Sequence, residues 1–301
     1  MTRRADGGSC ASSNSSRRSS LTCPSANAET EEGTAVENAI DRRLERIVLL
    51  EFVLHVVTGL RVGAQDGSFT IGGDENVIIR DPLSNRPYVP GSSLKGKMRS
   101  LIERTQGMEQ NWPIARDRVV IHACRAGADY DRCPVCSLFG APAPQQRTYL
   151  CQTRLRVSDL FLTDTSEQAL REAGTTLPYV EVKAEAAIDR VTSAAVPRTM
   201  ERVPAGAEFG GRLTLLLYEG DDPARSVDLT VQALELVEAD FLGGGGSRGS
   251  GRVTFQDLTL TRLTFAPGEP RAERVTYKQT IGSLDDWRAH RDAIVGWAAG
   301  S

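Results

Sequence analysis

The chain has 301 residues, of which 40% are hydrophobic and 25% are charged, and its formal net charge at pH 7 is −3. This composition is typical of a globular protein with a sizeable core, and no apolar run is long enough to span a membrane. The negative net charge excludes a protein covered in basic surface, so any nucleic-acid site must be a local patch.

The N-terminal segment differs in composition from the rest of the chain. Ser, Arg, Gly, Thr and Glu dominate, and aliphatic residues are almost absent before Val36. We expect residues 1–45 to form a disordered leader, although a start codon placed too early would give the same pattern. The apolar core of a signal peptide is missing, so we expect a cytoplasmic protein.

Folded structure is predicted to begin near Arg46. Segments rich in Val, Leu and Ile predict strands, and segments with apolar residues at helical spacing predict helices. The predicted strands are 46–62, 77–79, 152–163, 210–218 and 252–265, and the predicted helices are 92–106, 165–174 and 227–240. Because this alternation lacks the regularity of a parallel barrel, it favours an α+β fold with a mostly antiparallel sheet.

The Gly-rich loop over residues 62–76 carries three acidic residues, Asp66, Asp74 and Glu75. A carboxylate beside an RNA backbone can hold a divalent cation or orient a ribose hydroxyl. Acidic, Gly-rich loops are more often solvated turns. The functional interpretation depends on the basic segment that follows closely in the chain.

That basic segment, Pro90–Ser100, is predicted to open a helix with Ser92 or Ser93 as its cap. Its first turns carry Lys95, Lys97 and Arg99, and the chain has only four lysines in all. Cations at a helix start oppose the helix dipole unless an anion is bound there. The pattern therefore predicts a phosphate site. It lacks the spacing of a nucleotide-binding P-loop, so RNA is the better ligand.

A metal site is predicted from four soft ligands within fifteen residues, His122, Cys124, Cys133 and Cys136. A Cys-x2-Cys pair with two further ligands suits tetrahedral zinc, and four protein ligands leave no open position, so the Zn²⁺ would be structural. The alternatives are free thiols or a disulfide. A disulfide is disfavoured in the cytosol.

Two further segments are rich in arginine or glycine. Residues 181–205 are neither a good amphipathic helix nor an apolar strand, which predicts a protruding arm; its candidate nucleic-acid contacts are Lys183, Arg190, Arg198 and Arg202. The segment 242–252 contains six glycines together with Arg248 and Arg252. Glycine lets a backbone approach phosphates closely, so a phosphate-binding loop is favoured over a flexible linker.

Taken in order, these motifs resemble the RAMP superfamily of CRISPR-associated proteins, in particular the repeated backbone subunit of type III (Csm-type) interference complexes. The motifs are the Gly-rich loop, IIRDPLSNRPYVPGSSLKGKMRS, HxC…CPVCSLFG, EVKAEAAIDRVTSAAVPRTMERVPAG and LGGGGSRGSGRV. The resemblance extends from about residue 46 to 265. It leaves out the leader and the C-terminal segment.

The resemblance implies an RRM-like (ferredoxin-like) palm, and we expect residues 46–301 to form a single RAMP domain. A zinc-containing insertion is expected at about 115–145 and a projecting thumb hairpin at about 181–206. Such subunits polymerise along a CRISPR guide RNA, and the thumb wedges into the guide–target duplex. The implied partners are guide RNA, target RNA, other backbone subunits and other type III effector subunits, including the large polymerase–cyclase subunit.

Matching the motifs residue by residue assigns roles to the basic and glycine-rich positions. The implied guide contacts are Ser92, Ser93, Lys95, Lys97 and Arg99, the thumb contacts are Arg190, Arg198 and Arg202, and the glycine-loop contacts are Gly244, Gly245 and Arg248.

In this family a loop aspartate cleaves target RNA with a divalent metal, Mg²⁺ or Mn²⁺, by attack of the adjacent 2′-hydroxyl. The family pattern places it five residues before the arginine of the Arg80-Asp81 pair, where this chain has Glu75 preceded by Asp74. Three alternatives follow. Asp74 or Glu75 takes the role, or the subunit is a non-catalytic scaffold, and we favour Asp74. A stand-alone RNA-processing enzyme is disfavoured because no histidine lies near the proposed RNA site.

Overall fold

The computed structural model describes residues 42–63, 77–114, 119–124, 127–142, 152–175 and 177–300. The strands are β1 (Leu44–Val56), β2 (Tyr88–Val89), β3 (Trp112–Ile114), β4 (Val119–Ile121), β5 (Leu155–Val157), β6 (Leu160–Leu162), β7 (Glu181–Ile188), β8 (Ala195–Arg202), β9 (Glu208–Tyr218), β10 (Val253–Thr264), β11 (Glu273–Thr276) and β12 (Ile281–Ser283). The helices are α1 (Gly91–Thr105), α2 (Gly127–Tyr130), α3 (Cys136–Phe139), α4 (Asp164–Glu172), α5 (Pro223–Ala239) and α6 (Leu284–Ala299).

Eight strands form one antiparallel sheet in the order β11–β10–β1–β9–β6–β2, with β12 also paired to β10 and β5 to β9. Two further pairs, β3–β4 and β7–β8, are separate hairpins. This mixed architecture with an antiparallel sheet confirms the predicted α+β class. Among the described helices, none is both long enough and apolar enough to cross a membrane.

One face of the sheet carries the hydrophobic core. Because side chains alternate along a strand, every second residue of β1 faces the helices. The core-facing set is buried and consists of Val48, Leu50, Phe52, Leu54 and Val56, whereas the alternate residues of β1 are half-buried or exposed. Helices α1, α5 and α6 cover the core face with apolar residues such as Leu94, Leu234 and Ile294. The opposite face, which we call the open face, is more accessible among the described residues.

Three of the predicted strands differ from those in the structure. Strand β1 begins at Leu44, inside the predicted leader, and ends at Val56 rather than near residue 62. The predicted strand 77–79 forms only isolated bridges, Gly63–Ile78 and Arg80–Pro87. The predicted strand 152–163 is interrupted at Ser158 and Asp159. The interruption follows from the sheet pairing, since β5 and β6 meet different parts of β9.

The segment predicted as an arm is a two-stranded hairpin of β7 and β8, paired from Glu181–Arg202 to Ile188–Ala195. At its tip Asp189 accepts hydrogen bonds from the amides of Val191 and Thr192, which holds the turn. Residues 188–199 are exposed, and Met200 is buried at the base. The hairpin therefore projects from the sheet, and its contacts with other described residues are at its base.

Candidate functional site

The first amide of helix α1 is hydrogen-bonded by a side chain from another element. Its N-cap is Pro90, no side chain of Ser92 or Ser93 caps it, and the predicted serine cap was therefore wrong. Asp159, from the break between β5 and β6, accepts a hydrogen bond of 2.7 Å from the amide of Gly91. Gly91 permits this approach, because a methyl group there would collide with the carbonyl oxygen of Val157. The helix start is thus held against the sheet.

Lys95 is the least compensated of the three predicted cations on α1. It is half-buried and makes no hydrogen bond or ion pair with any described residue. Burial lowers the pKa of its ammonium group, and the neighbouring charges of Arg99 and Arg156 lower it further. A cationic site of this kind is stabilised by a bound anion. Arg156 is an exposed residue of β5 that the sequence analysis missed, because only the fold brings it near Lys95.

Lys97 already has partners within the protein. Its Nζ atom lies 2.6 Å from a carboxylate oxygen of Asp240 and 3.9 Å from the centroid of the Phe241 ring. This pair joins α1 to the end of α5, immediately before the glycine-rich segment. Much of the charge that the sequence offered for phosphate is therefore neutralised at this position.

Arg99 points into the protein, in contrast to the predicted phosphate contact. Its guanidinium group pairs with Glu103 at 2.8 Å and donates to the carbonyl oxygens of His122 at 2.6 Å and Gly140 at 3.0 Å. Glu103 is buried and accepts at 3.4 Å from the amide of His122. Arg99 thus positions the Cys/His segment on α1.

The four predicted metal ligands come together. One ligand atom from each of His122, Cys124, Cys133 and Cys136 lies within 4.8 Å of the other three. Nε2 of His122 is 3.3 Å from Sγ of Cys133 and 3.7 Å from Sγ of Cys124. Tetrahedral bonds of about 2.3 Å to sulfur and about 2.0 Å to nitrogen require ligand separations of this size. The cluster can therefore hold a metal ion.

The surroundings of the cluster support metal binding. Nδ1 of His122 lies 3.0 Å from the carbonyl oxygen of Glu109, a contact that leaves Nε2 free to bind a metal. A hydrogen bond from the Cys136 thiol, together with backbone amides, lowers the pKa of Cys133 to about 4. Burial and the nearby Cys133 charge raise the pKa of Cys124 to about 11. The hydrogen bond that it donates to Cys133, and then burial, raise the pKa of Cys136. A bound cation would stabilise these closely spaced sulfur atoms as thiolates.

The glycine-rich segment is a tightly built loop around a single 3-10 turn, Gly246–Arg248. Gly243 and Gly245 have φ angles of 76° and 79°, in the left-handed region. The amide of Gly244 donates to the carbonyl oxygen of Arg61 at 2.8 Å, so this amide is already used within the protein. The backbone conformation itself therefore explains Gly243 and Gly245, and a close approach to Phe241 explains Gly246.

This geometry predicts unequal effects for two adjacent glycines. Gly243→Ala is expected to destabilise the protein by about 1–3 kcal/mol, because φ is left-handed and the new methyl group would meet the Arg61 carbonyl. Gly244→Ala is the matched control: its nearest neighbour would be 3.5 Å away, and we expect a change within about 0.5 kcal/mol. Urea unfolding measures both, and equal losses would contradict the loop geometry.

The cations of the hairpin fall into two groups. At the tip and along β8, Arg190 and Arg198 are exposed and form no ion pair with described residues. At the base, Arg202 pairs with Glu181 at 2.5 Å. Glu185 forms ion pairs with Lys183 at 2.8 Å and with Arg248 of the glycine loop at 3.3 Å. The base is therefore joined to the glycine loop, whereas the tip cations have no such partner.

Asp74 and Glu75 lie outside the described residues, but both stems of their loop are described. The stems meet at the Gly63–Ile78 bridge. The leading stem lies between two other elements. It pairs with the hairpin base through the Leu60–Val203 bridge, and it contacts the glycine loop through the hydrogen bond from the Gly244 amide to the Arg61 carbonyl. The returning stem is tied to the hairpin, since Glu201 accepts from the amide of Ile78 at 3.2 Å. The two stems, the hairpin base and the glycine loop therefore lie in one region.

A model of the RAMP superfamily matches residues 53–254. A relative from Methanothermobacter thermautotrophicus, "CRISPR system Cms endoribonuclease Csm3", is 36% identical over 214 residues, covering 67% of this chain and 81% of the relative. The protein of the same name from Methanocaldococcus jannaschii is 33% identical over 253 residues, covering 83% of this chain and 94% of the relative.

Two solved structures share the fold. Csm3 from Methanopyrus kandleri has a TM-score of 0.55 at 21% identity and covers 84% of this chain and 98% of its own. A chain of the Csm3–Csm4 subcomplex of the type III-A CRISPR-Cas interference complex has a TM-score of 0.50 at 22% identity, covering 83% of this chain and 97% of its own. The matched residues include β9, β5 and the Cys/His cluster as well as α1. The chain therefore belongs to the RAMP superfamily, among its Csm3-type members.

Proposed function

We propose that this chain binds CRISPR guide RNA as a backbone subunit of a type III interference complex and cleaves target RNA. The relatives' name, endoribonuclease Csm3, supports the activity. The observation that carries the proposal for this chain is the meeting of its basic elements with the stems of the acidic loop. Lys97 joins α1 to the glycine loop through Asp240 and Phe241, and the glycine loop joins the hairpin base and the stems of the acidic loop.

The sheet supports an RRM-like palm. Among the elements that build it, the chain order β1–α1–β6–β9–α5–β10 and the sheet order β10–β1–β9–β6 correspond to a βαββαβ arrangement. In this interpretation residues 46–301 form one domain, the segment around 115–145 is inserted into it, and the β7–β8 hairpin is the thumb. Arg190 and Arg198 would contact nucleic acid from the thumb, and Arg248 from the glycine loop.

We propose that the Cys/His cluster holds Zn²⁺. Three thiolates and one imidazole are the ligands of structural zinc sites, and four protein ligands leave no position for a substrate. When bound, the ion supplies fixed tetrahedral geometry rather than catalysis. The Arg99–Glu103 pair transmits this geometry to α1, so the metal would help to hold the phosphate site in place.

Cleavage is assigned to the acidic loop with Mg²⁺ or Mn²⁺. Asp74 is the favoured carboxylate and Glu75 the alternative, with the ribose 2′-hydroxyl of the target as nucleophile. The protein's part is to hold the RNA backbone in place while a carboxylate acts at the hydroxyl. One observation favours a non-catalytic scaffold instead: Glu75 stands where the family pattern has aspartate.

The partners of the proposed complex are guide RNA, target RNA, further copies of backbone subunits and other type III subunits, including the large polymerase–cyclase subunit, in the cytoplasm. Support for a multi-subunit assembly comes from the Csm3–Csm4 subcomplex, which contains a chain of the same fold. Purification from the native host followed by RNA sequencing tests the proposal. A preparation free of small RNA would overturn it.

A double variant, Lys95→Ala with Arg156→Ala, is expected to weaken RNA binding by about tenfold or more and to reduce the salt slope by about two. The reason is that both charges are uncompensated within the described residues. Lys97→Ala is expected to change the salt slope less, because Asp240 already neutralises the ammonium group. Fluorescence anisotropy at several salt concentrations measures these slopes. An unchanged slope for the double variant would contradict the assignment.

A further inference from the structure

Gly210 is the third residue of β9, at a position where the fold gives no reason for a glycine. The strand is paired on both sides here, with Val53 of β1 and with Phe161 of β6. The φ angle of Gly210 is not in the left-handed region, and the nearest atom to an added methyl group would be 4.0 Å away. Glycine weakens a strand interior and often marks a place where a ligand approaches the backbone. Its neighbour Gly211, by contrast, is explained by close packing against Phe52 and Leu160.

An exposed aromatic pair stands beside Gly210 on the open face. Phe161 is 53% exposed, although it is a large apolar residue of a sheet. Its ring stacks on Tyr88 of β2, with centroids 5.8 Å apart and an angle of 23° between the planes. Residues paired in register point to the same face of a sheet. The missing side chain at Gly210 therefore leaves space on the side of Phe161 away from Tyr88.

A cavity of about 360 Å³ opens at this point and is lined by Glu51, Phe52, Ser158, Gly210, Gly211 and Arg212. Its volume is sufficient for a flat heterocycle. The guanidinium group of Arg212 pairs with Glu51 at 2.6 Å, and both side chains are about half exposed, at 52% and 49%. They offer a donor and an acceptor at the edge of the cavity, and the aromatic pair offers a flat apolar surface beside it.

We propose that this cavity and the exposed ring of Phe161 beside it together form a nucleobase subsite, in which a base of single-stranded RNA lies over Gly210 and stacks on Phe161. The inference rests on the proposed function and adds a place where RNA is held by a base rather than by its backbone. Stacking on aromatic side chains next to cations is the common mode of binding single-stranded nucleic acid.

The position of the cations favours RNA over a protein partner. Arg156 pairs in register with Thr214 of β9, so Arg156 and Arg212 lie on the same face as Phe161. Thr214 is four residues beyond Gly210 along β9, a distance of about 13 Å. Nearby nucleotides of one RNA strand can therefore reach both the Lys95–Arg156 site and the Phe161 subsite. A surface for another protein subunit would not require cations in this line.

The test fills the space at Gly210 and measures RNA affinity in the full-length protein. Gly210→Val is expected to weaken binding of single-stranded RNA roughly 5- to 100-fold, the range for loss of one stacked base. The melting temperature should not fall, because the position has room for a side chain and strands favour β-branched residues. Thr276→Val, on the exposed edge strand β11, is the matched control and should leave affinity unchanged.

A second set of variants separates stacking from simple apolar contact. Phe161→Tyr should retain RNA binding, whereas Phe161→Leu should lose it to the same extent as Gly210→Val. RNA substituted with 4-thiouridine should crosslink to the peptide that contains Phe161. Failure of this crosslink, with Lys95-dependent binding intact, would overturn the subsite and leave the proposed function standing.

Two other outcomes are equally decisive. If Gly210→Val changes the oligomeric mass but not RNA affinity, the cavity is a contact between protein subunits and the subsite is wrong. If the parental protein binds no RNA under any salt condition, the proposed function and the subsite fall together.

Discussion

Replacing Cys133 and Cys136 together by serine is expected to release the bound metal and to lower the melting temperature by roughly 10 °C or more. Both sulfur atoms are buried, and the short helix α3 begins at Cys136, so few other contacts hold this segment. Elemental analysis and thermal unfolding measure the two effects. Cys23→Ser is the matched control, since the same chemical change in the predicted leader should alter neither quantity. Parental protein with less than half an equivalent of zinc would contradict the assignment.

Loading the metal-free site at neutral pH is expected to release about two protons per ion. The pKa of Cys133 is lowered to about 4, so this residue is already a thiolate, whereas Cys124, with a pKa of about 11, and Cys136, with a raised pKa, hold their protons. Metal binding must displace those two protons, so affinity rises with pH and falls on acidification. Calorimetry in buffers of different ionisation enthalpy counts the protons. Release of none would show that the thiols are not the ligands.

Asp74→Ala is expected to slow cleavage of target RNA by about 100-fold or more in the assembled complex, while guide RNA is retained. The physical reason is loss of a carboxylate at the proposed reacting hydroxyl, with the proposed phosphate contacts of α1 and the glycine loop left intact. Single-turnover cleavage with Mg²⁺ or Mn²⁺ measures the rate. Glu75→Ala, made in parallel, distinguishes the two adjacent acids.

Asp66→Ala is the matched control for this experiment, because it removes an acid from the same Gly-rich loop without touching the proposed catalytic pair. It should cleave at close to the parental rate. If both Asp74→Ala and Glu75→Ala cut at the parental rate, the nuclease assignment to this loop fails, and the guide-binding scaffold remains.

Elements with strong local patterns could be predicted from the sequence, whereas contacts between distant elements could not. Helix α1 was predicted within a residue or two, since Leu94, Met98, Leu101 and Ile102 repeat at helical spacing. The cap at Asp159 is 68 residues away from Gly91, and no local rule predicts such a pairing. The break between β5 and β6 was missed for the same reason, because it depends on the register with β9.

In the candidate site, too, local features could be predicted from the sequence and contacts between distant elements could not. The metal cluster was predictable because its four ligands and their spacing lie within one short segment of the sequence. The three cations of α1 looked equivalent in sequence, but the fold pairs Lys97 with Asp240, turns Arg99 inward and leaves Lys95 beside Arg156. Arg156 gave no signal of its own. The catalytic and RNA-contact roles remain predictions.

The ion pair between Arg99 and Glu103 restricts how this part of the chain can evolve. The two side chains are 16% and 6% exposed. Losing one partner of a buried pair leaves an uncompensated charge and costs about 3–5 kcal/mol, whereas replacing both by apolar residues of similar volume is often close to neutral. A single substitution at either position is therefore expected to destabilise the protein. Lineages that abandon this arginine should have exchanged the glutamate as well, so that the two sites co-vary.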